Sequence, residues 1–191
     1  MLTAELMPGV ALRLPEEHDA DELYRVVEVN RAYLARWMPW AAEETREHVL
    51  AYIRLVRAQV AENNGLNTVI TVDGRMAGGI GMVRVSWRDL STELGYWLAE
   101  EHQGRGIMTA GVRAYLDYCF DTLGLNRVGL AAAVDNTASR AVAERLGFAL
   151  EGIQREAERI GGRAHDLAVY AMLAAEWTAR TGEGERRRSD R

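Results

Sequence analysis

The stretch Glu93-Leu-Gly-Tyr-Trp-Leu-Ala-Glu-Glu-His-Gln-Gly-Arg-Gly-Ile-Met-Thr109 decides the fold of this 191-residue chain. Its first part reads as a strand, its middle as a polar glycine loop, and its end as the start of a helix. From Gly104 to Thr122 the apolar residues Met108, Val112, Tyr115, Leu116, Cys119 and Leu123 form one helical face. A strand that runs through such a loop into a helix builds an anion site. The first N–H groups of the helix lack internal partners, they sit at its positive end, and Gly104 and Gly106 let backbone approach a ligand closely. Arg105 adds charge at the rim.

Before this stretch the spacing predicts a strand at Val10 to Leu14, a helix from about His18 towards Arg36, and a second helix from Glu43 or Thr45 to Asn63-Asn64-Gly65. Leu66 to Val72 and Met76 to Ser86 flank the hairpin signal Asp73-Gly74, and Ser91 to Ala99 completes an antiparallel meander. After it come a strand (Asn126 to Val134), a short helix (Asp135 to Leu146, ended by Gly147) and two strands (Phe148 to Ile160, Arg163 to Leu173). A meander followed by alternating strand and helix implies an α/β chain whose mixed, mostly antiparallel sheet carries six to seven strands with helices on both faces. A dinucleotide-binding loop fits poorly. Thr109 stands where a third small residue belongs, no strand-ending acid stands about twenty residues on, and the preceding strands are antiparallel.

Composition narrows the function. With 48% hydrophobic and 27% charged residues the chain is globular, and the length suits one domain over residues 1–181 with a solvated tail at 182–191. The formal charge of -5 argues against a protein that holds nucleic acid through massed Lys and Arg. Cys119, the one cysteine, lies on the apolar helix face and reads as core; it cannot form an internal disulfide. His18, His48, His102 and His165 show no ligand spacing, so no metal is expected. Residues Met1 to Val10 lack a secretory pattern and no run is long enough to span a membrane, which makes the cytoplasm the expected location.

Gln103-Gly-Arg-Gly-Ile-Met108 resembles the pyrophosphate loop of the GCN5-related N-acetyltransferases (GNAT), with Met108 departing from its last position. Together with Tyr96-Trp97-Leu98 and the run Asp135-Asn-Thr-Ala-Ser-Arg-Ala-Val-Ala-Glu-Arg-Leu-Gly-Phe148, it is similar to the branch that acetylates ribosomal-protein N-termini, the RimJ/RimL-like enzymes. The resemblance implies acetyl-CoA as cosubstrate. The pyrophosphate would lie on the N–H groups of Gly104, Arg105, Gly106, Ile107, Met108 and Thr109 beside Gln103, and the pantetheine arm along Trp97 and Leu98, where the strand before the loop splays from its neighbour. It implies further that Asn136 contacts pantetheine, that Ser139 protonates the leaving thiolate, and that the Leu98 N–H stabilises the oxyanion. Helix capping, with Asp135 or Asn136 as N-cap and Ser139 in the first turn, is the structural alternative for these residues and is compatible with those roles.

An α-amino group, with a pKa of about 7.7–8.0, must lose a proton before it attacks a thioester. Glu151, Glu156, Glu158 and Asp166 are the carboxylates near the late strands. The resemblance selects Glu158 as base, while a surface strand carboxylate is the alternative, and a bulge at Gly152 would change which face Glu158 occupies. Asp166 is either structural or part of the acceptor site. Trp37 and Trp40 flank Pro39 between the first two helices, where they either pack or wall the acceptor site. The expectation is thus an N-acetyltransferase acting by direct attack in a ternary complex, its acceptor a ribosomal-protein N-terminus. A small amine (antibiotic, polyamine or aminoacyl nucleotide) as acceptor and a silent acyl-CoA sensor are the competing readings. The resemblance also suggests a homodimer.

Overall fold

The structure, a computed structural model, describes residues 4–189, with side chains from residue 4 through residue 181. Its elements are β1 (Ala4–Met7), β2 (Val10–Arg13), α1 (Ala20–Leu34), α2 (Arg46–Ala61), β3 (Asn67–Val72), β4 (Arg75–Ser86), β5 (Ser91–Leu98), α3 (Ile107–Asp117), β6 (Arg127–Ala133), α4 (Thr137–Leu146), β7 (Ala149–Ile160), β8 (Arg163–Leu173) and α5 (Ala174–Ser189). One sheet of eight strands runs β1-β2-β3-β4-β5-β6-β8-β7. Every neighbouring pair is antiparallel except β5 and β6.

Alternation along β3 shows why helices cover both faces. Ile70 packs into a core with Val112, Tyr115 and Leu116 of α3 and Val142 of α4, while its neighbour Val69 packs with Leu23 of α1 and Ile53 of α2. The β3–β4 hairpin closes through Asp73 and Gly74, both at positive φ (49° and 78°), the geometry that the right-handed strand twist prefers in a two-residue turn.

Three expectations are corrected. The sheet has one strand more than the six to seven anticipated, because the four residues before the Pro8-Gly9 turn pair with β2 as β1. The central helix begins at Ile107, since Gly104 and Gly106 are left-handed (φ 70° and 77°), and its α geometry ends at Asp117 before a π-type turn over Tyr118–Thr122. The first helix opens with a 3-10 turn at Glu17–Asp19. The segment after β8, which the sequence pattern left without an element, forms the helix α5. Its anchor is Trp177, which is buried and donates from Nε1 to Asp117 Oδ1 at 2.7 Å. The side chains of 182–191 lie outside the described residues.

No helix among the described residues is long and apolar enough to cross a membrane, and no group of three or more His, Cys, Asp or Glu among them could hold a metal.

Candidate active site

The site begins where the sheet comes apart. β5 and β6 pair only at Ser91–Glu93 with Arg127–Gly129 and then diverge, while β5 stays registered with β4 as far as Leu98 opposite Gly78. The Ala99 N–H donates to Ala77 O at 2.7 Å, so by antiparallel alternation the N–H of Leu98 points away from β4, into the gap. Gly78 permits the close approach here, since a Cβ on it would lie 2.4 Å from Trp97 O.

Below the gap the chain makes a short turn and enters α3. Neither Gly104 nor Gly106 would meet any atom within 4 Å if it carried a Cβ, so their requirement is conformational and their outer surface is open. Gly106 is the N-cap and offers no side-chain partner, which leaves the N–H groups of the first turn of α3 facing outward. The turn is held from α1. Buried Asn30 accepts the Glu100 N–H at 2.9 Å and donates to Val26 O at 2.9 Å, and Gln103 Nε2 donates to Tyr33 Oη.

A cavity of about 650 Å³ joins these parts. Its wall unites most of the residues expected from sequence: Trp97 and Leu98 of β5; Gln103, Gly104 and Gly106 of the loop; Ile107, Met108 and Thr109 of α3; Asn136 and Ser139 of α4; and Trp37 after α1. Three expected residues stand outside it. Arg105 turns towards His102, its Nη1 lying 3.2 Å from His102 Nδ1, and His102 lines the cavity instead. Trp40 packs edge-on behind Trp97, with ring centroids 6.1 Å apart. Glu158 lies on β7.

Sequence reasoning passed over Arg113, Arg145 and Tyr33, which also line the cavity. Arg113 is seven residues after Gly106, two turns along the same helix face, and its guanidinium lies 5.4 Å from the Trp177 ring centroid. Arg145 donates to Thr109 Oγ1 at 2.8 Å, tying the last turn of α4 to the first of α3. The helical spacing 106, 109, 113 was the signal for Arg113; Arg145 carried none.

At the start of α4, Asn136 is the N-cap and its Oδ1 accepts the Ser139 N–H at 3.2 Å. Capping and cleft lining therefore coincide in this residue. Tyr96 Oη lies 3.0 Å from Ser139 Oγ and 3.2 Å from Ser139 O, within hydrogen-bond reach of both. Burial pushes the Tyr96 phenol up to about 12, against the hydrogen bond to Ser139, which lowers it.

The four late carboxylates separate by environment. Glu151 forms a bidentate pair with Arg127 at 2.6 and 2.5 Å, and Asp166 Oδ1 accepts the Glu156 N–H at 2.8 Å, fixing a bulge in which Glu156 takes φ 49°. Asp166 is thus structural in this contact, and Glu156 is exposed. Glu158 is half-buried, opposite His165; desolvation raises its pKa, while the charge of His165 pulls the other way. His165 Nδ1 lies 3.8 Å from Asp135 Oδ1, which places this pair beside the start of α4.

Register decides which way Glu158 faces. Leu150 pairs with Tyr170 but Gly152 pairs with Val169, so a bulge reverses the alternation, and Glu158 then shares the face of Leu167 and Val169. The buried residues Ala168, Tyr170 and Met172 take the opposite face, against α3 and α4. Tyr96 and Ser139 belong to that α3–α4 side. The two candidate proton-handling residues therefore stand on opposite faces of the divided sheet. Cys119 is fully buried, with burial pushing its thiol up to about 12, as expected of a core residue.

A divided mixed sheet with an open helix start below the gap has the geometry that suits a long, phosphate-bearing cofactor. The chain belongs to the GNAT acetyltransferases: residues 10–149 match the model of the acetyltransferase (GNAT) domain. It is 36% identical to the putative ribosomal N-acetyltransferase YdaF of Bacillus subtilis over 97% of this chain and all of that one. It is 28% identical to the ribosomal-protein-serine acetyltransferase of Escherichia coli, over 90% of this chain and 96% of that one. The structure of RimL, a ribosomal-protein α-N-acetyltransferase in complex with coenzyme A, superimposes with a TM-score of 0.86 at 26% identity, covering 92% of this chain and 99% of the other. The protein is an acetyl-CoA-dependent N-acetyltransferase.

Proposed function

We propose that the acceptor is the α-amino group of a protein N-terminus, of the ribosomal-protein type, and that one acetyltransferase domain over residues 1–181 carries the reaction. The observation that carries this reading is that Ser139 and Glu158 take opposite faces of the divided sheet, with an open helix start at Gly104–Thr109 beneath the gap. The names of the relatives favour a ribosomal acceptor over a small amine.

Acetyl-CoA supplies an activated acetyl group as a thioester. In this reading its pyrophosphate lies against the first-turn N–H groups of α3, with Arg113 and Arg145 adding positive charge to the wall, and its pantetheine follows Trp97 and Leu98 and meets Asn136. The acceptor enters from the α1–α2 side past Trp37. Glu158 takes a proton from the ammonium, directly or through a water, and the freed lone pair forms the C–N bond. The tetrahedral oxyanion meets the Leu98 N–H. The C–S bond then breaks, its electron pair leaves on sulfur and Ser139 gives its proton to the thiolate, while the second proton that the nitrogen loses as the amide forms passes through solvent to restore the serine hydroxyl. No acyl-enzyme forms.

Thiol release from acetyl-CoA should be measured with ribosomal-protein N-terminal peptides, polyamines, aminoacyl nucleotides and aminoglycosides as acceptors. Saturable turnover with the peptides is the expected result. Turnover confined to a small amine would replace the acceptor, and cofactor binding with no turnover on any acceptor would make the protein a sensor.

A further inference from the structure

We propose that Tyr96 is a positioning residue for the reaction: its phenol donates to Ser139 Oγ and so aims the serine proton into the cleft at the departing sulfur. This rests on Ser139 being the donor to the thiolate.

A serine hydroxyl rotates freely, so its one proton is useful only if something fixes where it points. Each hydroxyl offers one donor and two acceptor positions. Ser139 is gripped at three atoms: its N–H by Asn136 Oδ1 at 3.2 Å, and its main-chain oxygen and its Oγ by Tyr96 Oη at 3.2 and 3.0 Å. Two arrangements satisfy these distances. If the phenol donates to the main-chain oxygen, the serine proton turns towards Tyr96 and is lost to the cleft. If the phenol donates to Oγ, the serine proton is free to point into the cavity that both side chains line. The second arrangement wins once a thiolate develops, because a chain of donors running from phenol to alcohol to sulfur polarises each bond in turn, and a phenol is a stronger donor than an alcohol.

Its setting suits the task. Tyr96 lies on β5 one residue before Trp97, its ring packs against the main core, and burial keeps the phenol neutral across the working range. The same bond spans the gap, linking β5 to the first turn of α4. No net proton leaves Tyr96: the serine proton is shared with sulfur as the C–S bond breaks, and the phenol steadies the oxygen that it leaves more negative.

The test is a double-mutant cycle on the full chain with a peptide acceptor that turns over, using Tyr96→Phe, Ser139→Ala and both together. Phe keeps the ring and removes only the hydroxyl. Tyr96→Phe should lower kcat about tenfold while leaving the KM for acetyl-CoA within about twofold. Ser139→Ala should cost roughly 10²-fold, and adding Tyr96→Phe to it should cost less than about twofold more. A Tyr96→Phe enzyme with wild-type kcat overturns the proposal, as does a tenfold loss that persists in the Ser139→Ala background, which would mark Tyr96 as a structural wall. Wild-type turnover by Ser139→Ala would instead overturn the assignment of Ser139.

Discussion

The first turn of α3, beneath the gap between β5 and β6, and the edge strand β7, two strands beyond β6, are specified by different physics. The α3 corner is a backbone device. Two glycines held left-handed, an N-cap without a side-chain partner and a buried helix face that includes Ile107, Val112, Tyr115 and Leu116 determine what it offers a ligand. β7 is an edge strand that is exposed from Ala149 to Ala157, broken by register shifts, and carries one half-buried carboxylate, Glu158, to which the proposed mechanism gives the role of base. Backbone sites leave a fixed signature in sequence, because few residues tolerate φ near +70°. Side-chain sites on a bulged strand do not, because one inserted residue reverses every later position.

The sharpest way to break this contrast is at Glu158. Glu158→Gln should lower kcat roughly 10²–10⁴-fold with little change in the KM for acetyl-CoA, since it touches the proton and not the cofactor. In the wild type the acid limb belonging to this carboxyl should lie above the ordinary 4.5, because burial raises it, and activity should be lost as pH falls through that limb. A variant that keeps its rate would return Glu158 to the status of a surface strand residue.

Next in size is stability. Leu116→Ala, at a fully buried position in the last turn of α3, should cost about 2–5 kcal/mol in denaturant unfolding. Ile153→Ala, at a position 47% exposed on β7, should cost less than about 0.5 kcal/mol. Equal losses would show that the edge strand is packed after all. Gly106→Ala meets no neighbouring atom but forces a Cβ into a left-handed residue, so it should cost about 1–2 kcal/mol and raise the KM for acetyl-CoA by about tenfold. The smallest effect belongs to Arg127→Ala. Breaking its partly exposed pair with Glu151 should change stability by about 0.2–1 kcal/mol and leave turnover unchanged.

Legibility in the sequence follows the same division. The hairpin at Asp73-Gly74, the glycine loop, the Asn136 cap and the stop at Gly147 were readable because each needs a special φ or a capping side chain, and the structure supplies both. β1 was missed because four residues carry too little alternation, and α5 because its anchor is a single tryptophan, Trp177, in an otherwise polar run. Arg145 was unreadable because its place in the wall depends on how α4 lies against α3. The facing of Glu158 depended on the bulge before Gly152, whose existence the sequence suggested but whose register only strand pairing fixes. Trp37 and Trp40, grouped by their proximity in sequence, are separated in the structure: Trp37 lines the cavity, while Trp40 packs edge-on against Trp97.

The central claim is direct transfer of acetyl to an α-amino group. It is tested most directly by mass spectrometry of a ribosomal-protein N-terminal peptide that carries both a free α-amine and an internal lysine, incubated with acetyl-CoA and the protein. The expected result is one acetyl group on the terminal nitrogen for each coenzyme A released, with the lysine unmodified. Acetylation of the lysine side chain, or coenzyme A release with no acetyl on the peptide, would contradict it.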